Sequence, residues 1–178
     1  MTINDLLSAA RQRLDRVHPV DALDAVLHGA VLVDIRSEFQ RQADGVIAGA
    51  LFYPRNVLEW RIDPASGYSD PSLGCDLDKQ LIVFCDEGYQ SSLVAATLRD
   101  LGFRHATDLI GGFQAWCAAG LPVQRSPEQV ATDRASSSAA SISRGSSDDP
   151  EQRTAASLRR AGSARPLGDD PGERLGAT

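Results

Sequence analysis

One stretch, Leu81 to Ser92 (LIVFCDEGYQSS), constrains the fold of this chain more than any other. Leu81, Ile82, Val83 and Phe84 make a short apolar run with β-branched members, the pattern of a strand buried on both faces. The run stops at Cys85. From Leu93 onward, Leu93, Val94, Ala96, Thr97, Leu98 and Leu101 recur at helical spacing. The stretch therefore predicts a strand, a tight loop and a helix, with Cys85 at the carboxyl end of the strand. A strand of this kind needs a layer on each side, and its carboxyl end is where open α/β sheets bind ligands.

That placement has chemical consequences. The first N–H groups of a helix lack partners within the helix, and the helix dipole adds partial positive charge there. A loop curling around the sulfur contributes further N–H donors and forms a nest for an anion. Both effects favour the thiolate, the nucleophilic form of cysteine. Gly88 suits a loop position that requires positive φ or close backbone approach. Cys85 also reads as a small apolar residue closing a strand; the pattern by itself leaves both readings open.

The flanking sequence alternates helix and strand signals. Leu6, Leu7, Ala10 and Leu14 form an apolar stripe, with Asn4 or Asp5 as caps, and Pro19 opens a second helix that Gly29 ends. Ala30 to Ile35 reads as a buried strand, Ser37 as the cap of a short helical turn, and Ala50 to Tyr53 as a short strand. A helical turn over Val57 to Arg61 precedes a long loop rich in Pro and Gly, of a length that often carries function. Ala106 to Ile110 reads as a further strand and Phe113 to Ala119 as a last helix closed by Gly120. This alternation predicts an α/β domain with a mostly parallel central sheet and helices on both faces.

The chain has 178 residues, enough for one domain and a tail. Residues 1–124 hold 10 basic against 16 acidic residues, whereas residues 125–178 hold 8 of each, so the first part carries the whole net charge of −6. An acidic domain without a basic stripe argues against nucleic acid as a partner. The amino terminus has no apolar signal core, and no apolar run approaches the length of a membrane span, so a cytoplasmic protein with no membrane partner is expected. Three cysteines without paired spacing suggest neither a disulfide framework nor a metal site. The three histidines, His18, His28 and His105, show no ligand spacing and read as surface residues. Between 126 and 178 there is no aromatic residue, and Val130, Ile142, Leu158, Leu167 and Leu175 are the only Ile, Leu or Val. Such a segment buries too little apolar surface to offset its chain entropy, so a disordered tail is expected.

Four motifs in order resemble the single-domain rhodaneses, a family of sulfurtransferases. They are DIRS (Asp34 to Ser37), GVIAGA (Gly45 to Ala50), VFCDEGYQSS (Val83 to Ser92) and DLIGGFQAW (Asp108 to Trp116). The resemblance spans roughly residues 3–124. It implies a rhodanese-like domain at 1–124 and transfer of a sulfane sulfur from a small donor, thiosulfate or a persulfide, to a thiol or cyanide acceptor. The carrier would be a persulfide on Cys85, the nucleophile. Asp86, Glu87, Gly88, Tyr89, Gln90, Ser91 and Ser92 would form the substrate-binding loop, its N–H groups stabilising anionic sulfur, with one of the two serines capping the helix. A protein persulfide partner is compatible with this chemistry, which requires neither a metal nor an organic cofactor. The oligomeric state is not indicated.

Two departures from the family pattern stand out. Val46 replaces a histidine, a change expected to affect packing rather than chemistry. The cysteine loop is acidic at Asp86 and Glu87, where thiosulfate-using members often carry basic residues. Arg61 is the preferred compensating contact and Arg36 a second candidate, although Arg36 is expected to pair with a nearby carboxylate. Trp60 and Tyr89 are candidates to wall the pocket. Asp34, Phe113, Trp116 and Cys117 read as buried structural residues, and Cys75 as a remote candidate for resolving a persulfide. A cysteine phosphatase would need arginine six residues after the nucleophile, where this chain has Ser91. The alternative to an enzyme is a rhodanese-like binding or redox-regulatory module, since fold alone does not fix function.

Overall fold

The structure is a computed structural model that describes residues 1–73 and 76–144. Its elements are α1 (Ile3–Gln12), α2 (Pro19–Leu27), β1 (Val31–Asp34), α3 (Glu38–Asp44), β2 (Leu51–Phe52), α4 (Leu58–Ile62), β3 (Leu81–Phe84), α5 (Gln90–Asp100), β4 (Ala106–Asp108), α6 (Gly112–Ala118) and α7 (Pro127–Arg144), with 3-10 turns at Pro64–Ser66 and Pro71–Leu73. Met1–Asp133 forms the first of two units into which the chain divides. The first contains a four-stranded sheet in the order β2-β1-β3-β4, with every pairing parallel.

Strand periodicity sorts the core into two layers. Successive side chains of a strand point to opposite faces. Leu81, Val83 and Cys85 accordingly join one cluster with Leu58 and Ile62 of α4 and Val94 and Leu98 of α5. Ile82 and Phe84 join the other, with Ala22 of α2 and Phe113 and Trp116 of α6. All four β3 residues are buried, as a strand covered on both faces requires. The predicted α/β architecture holds, and the register of β3 sends Cys85 to the α4–α5 side.

The amino-terminal segment is built into this unit. Thr2, rather than Asn4 or Asp5, caps α1: its hydroxyl accepts the Asp5 N–H, and the Asp5 carboxylate accepts the Thr2 N–H at 2.7 Å. Helix α1 packs on α5, and an Arg13–Asp100 ion pair joins the two. Val17 then runs parallel to the strand edge at Leu109, accepting the Ile110 N–H at 2.8 Å.

Two expectations need correction. Helix α5 begins at Gln90, three residues before the apolar stripe, because its first turn faces buried polar groups rather than the core. The expected tail also contains helix. Ser126 accepts the Gln129 N–H and the Gln129 side chain accepts the Ser126 N–H, a reciprocal cap with Pro127 at the first helical position. This S-P-x-Q start was present in the sequence, but low apolar content outweighed it. Residues 145–178, the rest of the expected disordered tail, lie outside the described residues.

The Thr2 backbone N–H, and after it the Thr2 hydroxyl, hold the Asp5 carboxyl below the usual carboxylate range. A carboxyl depressed in the folded state stabilises it at neutral pH and loses that contribution as pH falls from the ordinary carboxylate value through the lower one of the folded state. Amide protection in the first turn of α1 should therefore hold down to about pH 4 and drop only below it. Asp5→Ala should show the low protection at every pH, as read by hydrogen exchange with NMR detection.

Candidate active site

Cys85 follows β3 directly, and Asp34 and Asp108 end the two strands that flank it. Its sulfur is held from two directions. The Gly88 N–H donates to Sγ at 3.2 Å, and Ser91 Oγ lies 3.4 Å away. Cys85 is 7 % exposed, and it lines a cavity of about 530 Å³ that opens between the cysteine loop and the segments after β1 and β2. A sulfur at the base of a cavity, facing N–H and O–H groups, is placed to attack a donor and to hold the resulting anionic sulfur.

The direction of the loop peptides follows from α6. Phe113 N–H donates to the Cys85 carbonyl at 2.9 Å, and Gln114 N–H to the Asp86 carbonyl at 3.0 Å. With its carbonyls tied to the first turn of α6, the loop keeps the Gly88 N–H for the sulfur. This contact permits no intervening side chain. A Cβ on Gly112 would lie 2.5 Å from both the Cys85 and Asp86 carbonyl oxygens. Gly88 itself has φ +78°, and a Cβ there would lie 2.9 Å from the Gly111 nitrogen.

Ser91 and Ser92 are buried, and neither caps α5; Tyr89 is the N-cap residue and makes no side-chain bond to the helix. Their hydroxyls face Asp108, which is fully buried. Ser92 Oγ donates to the Asp108 carboxylate at 2.7 Å, and Ser91 Oγ lies 3.5 Å from it. Arg16 grips the same carboxylate with two bonds of 2.7 and 2.9 Å. Asp108 and Arg16 were not expected at the site. The signal for Asp108 was a carboxylate inside a predicted strand, Ala106 to Ile110; for Arg16 the sequence held none.

The acidic pair separates. Gln114 Nε2 donates to the Asp86 carboxylate at 3.0 Å, which ties Asp86 to α6, while Glu87 is exposed on the cavity rim. Gln90 and Tyr89 also line the rim. Arg36 borders the cavity, but it is 1 % exposed; its guanidinium donates to Asp34 at 3.1 and 2.8 Å and to the Gly45 carbonyl, and it stacks on Phe113 at 3.6 Å. It thus pairs with a carboxylate as expected. Arg61 does not line the cavity; it donates to the Tyr68 carbonyl and pairs with the Asp70 carboxylate. Trp60 is also absent from the cavity wall and is exposed. The partly exposed basic residue of the wall is Arg55, paired with Glu59 at 2.6 Å. It lies six residues before Arg61, in a stretch whose turn the sequence pattern did not resolve.

The remaining residues divide between the two readings. Val46 is buried and exchanges backbone bonds with Gln124, a packing role. Asp34 is buried between Arg36 and Arg41. Phe113 and Trp116 are core residues, and the three histidines are exposed. Cys117 is exposed rather than buried, because it lies on the outer side of α6; desolvation of its sulfur nonetheless pushes its thiol up, away from the reactive form. Cys75 lies outside the described residues. Among the described residues no cluster could hold a metal ion.

Gly88→Ala should disturb the loop more than the domain. Strain at positive φ together with the backbone clash should cost about 1–3 kcal/mol in urea unfolding. The Cys85 thiol should lose its alkylation rate at concentrations where the variant remains folded.

Comparisons with known proteins agree with this geometry. The sequence model of the rhodanese-like domain matches residues 19–119. The thiosulfate sulfurtransferase GlpE of Haemophilus influenzae is 29% identical over 107 residues, 60% of this chain and 91% of that protein. The thiosulfate sulfurtransferase GlpE of Ectopseudomonas mendocina is 37% identical over 103 residues, 58% of this chain and 84% of its own length. Among solved structures, a protein of unknown function from Rhodopseudomonas palustris, described as a possible tyrosine phosphatase, is 33% identical with a TM-score of 0.64, covering 70% of this chain and 95% of that one. The polysulfide-sulfur transferase of Wolinella succinogenes is 25% identical with a TM-score of 0.56, covering 68% and 85%. With its parallel sheet, its cysteine at the end of β3 and a family match over more than half its length, the chain belongs to the rhodanese-like domain family of sulfurtransferases.

Proposed function

We propose that the protein is a thiosulfate or persulfide sulfurtransferase in which Cys85 carries the sulfur. The observation that carries this reading is the Cys85 sulfur itself, bonded by the Gly88 N–H at the base of an open cavity. In the first step the Cys85 thiolate attacks the sulfane sulfur of the donor. A sulfur–sulfur bond forms to Cys85 while the donor's own sulfur–sulfur bond breaks, and sulfite (or a thiolate, from a persulfide donor) leaves with the electron pair. In the second step a thiolate or cyanide takes the outer sulfur and returns the Cys85 thiolate. Negative charge is on sulfur before and after each step, so the Gly88 N–H and Ser91 hydroxyl act throughout.

The cavity wall bears on the choice of donor. Arg55 offers a positive charge to a sulfonate, while Glu87 opposes a doubly charged anion, and Asp86 is drawn toward Gln114. The names of the GlpE relatives support thiosulfate as one donor. Phosphate chemistry is disfavoured: Ser91, at the sixth position after Cys85, is buried against Asp108, and the loop supplies no guanidinium fork for a phosphoryl group. A free thiol and thiol acceptors suit a reducing, cytoplasmic setting.

Intact-protein mass should rise by one sulfur atom after incubation with thiosulfate or glutathione persulfide, and cyanide should remove it as thiocyanate. Cys85→Ala should abolish the gain without unfolding the domain. No gain from either donor in the folded, reduced protein would instead favour the binding-module reading. Exposed charges interact by about 1 kcal/mol at contact in water and are screened by salt. Glu87→Gln should accordingly lower the thiosulfate KM by up to about fivefold at low ionic strength and by much less at high salt, and Arg55→Ala should raise it.

A further inference from the structure

We propose that Arg11 of α1 is a positioning residue for the Cys85 loop, an inference that rests on the sulfurtransferase reading above. Its guanidinium reaches the loop from behind: Nη2 donates to the Gly88 carbonyl at 2.9 Å and Nε to Ser92 Oγ at 3.2 Å. Ser92 has one hydroxyl proton, and its bond to Asp108 at 2.7 Å is shorter than its contact with the Gly88 carbonyl at 3.1 Å. With that proton committed to Asp108, Arg11 is the donor that satisfies the Gly88 carbonyl.

Gly88 is also the residue whose N–H meets the sulfur, so fixing its carbonyl side fixes the adjoining peptide that faces Cys85. Arg11 forms no ion pair among the described residues, and it stacks over the Tyr89 ring at 5.6 Å. Its charge is therefore not offset by a contacting carboxylate. It does not line the cavity above Cys85, so it acts through the loop rather than on the donor. It also precedes residues 19–119, the part of the chain that matches the family.

The test uses the full-length chain and two readouts. One is the kcat and KM of thiosulfate-to-cyanide transfer; the other is the rate of Cys85 alkylation by iodoacetamide, followed by peptide mass so that Cys75 and Cys117 are scored separately. Removing both Arg11 hydrogen bonds, to the Gly88 carbonyl and to Ser92, should lower kcat by about tenfold in Arg11→Ala. KM should stay within about twofold, because Arg11 touches no substrate. Alkylation of Cys85 should slow in parallel, and Arg11→Lys, which restores the charge but one bond of the two, should fall between.

Unchanged kcat and alkylation in Arg11→Ala would overturn the proposal, as would a rise in KM at constant kcat. If Arg11→Ala does not fold, Arg11→Lys decides: wild-type rates in both assays overturn it and slowed rates support it. If the unmodified protein transfers no sulfur, the alkylation rates alone decide the role of Arg11, and the functional reading fails separately.

Discussion

The site depends on how the peptides after β3 are oriented. The carbonyls of Cys85 and Asp86 accept N–H bonds from Phe113 and Gln114 at the start of α6. Backbone groups buried at a strand end need partners, and here the first turn of α6 supplies two N–H groups that would otherwise lack them. With its carbonyls so engaged, the loop turns an N–H toward the sulfur. The Gly111–Gly112 turn allows the close approach, since a side chain at Gly112 would occupy the space of the loop carbonyls.

Charge is arranged around that loop with the same economy. Asp34 and Asp108 end the strands on either side of β3, and both are fully buried. Left unpaired, each would cost several kcal/mol and repel an anionic sulfur. Arg36 and Arg41 hold Asp34, and Arg16 holds Asp108. Such buried pairs contribute little net stability compared with apolar packing, but breaking one leaves a buried charge exposed to low dielectric. Their effect here is geometric: Asp34 and Arg36 join β1 to the segment before α3, while Arg16 and Asp108 join the amino-terminal segment to β4 and, through Ser92, to the cysteine loop.

Much of the layered fold was legible because strand and helix periods are local. LIVF reads as a strand whichever protein contains it, and the spacing of Val94 and Leu98 marks the helix side that meets it. The boundary of α5 was less legible, because Gln90, Ser91 and Ser92 carry no apolar signal, and the two serines are buried in the helix by facing Asp108, a partner distant in sequence. Helix α7 was missed for the opposite reason: its cap was readable at Ser126 and Gln129, but composition suggested an unstructured tail. Arg61 and Arg55 show where the limit lies. Two arginines six residues apart look equivalent in sequence, and the course of the backbone after β2 determines which of them meets the cavity.

By itself, the sequence determined the strand–loop–helix unit, the place of Cys85 at the end of its strand and the glycine its loop requires at Gly88, because these follow from hydrophobic period and from φ angles that few residues adopt. The tertiary structure alone decided which polar groups surround Cys85. It brought Arg11 and Arg16 to Gly88 and Asp108, turned Asp86 to Gln114 and left Arg55 on the wall. Hydrogen bonds and ion pairs act over a few ångströms and have no period along the chain, so their partners emerge only when distant segments are packed together.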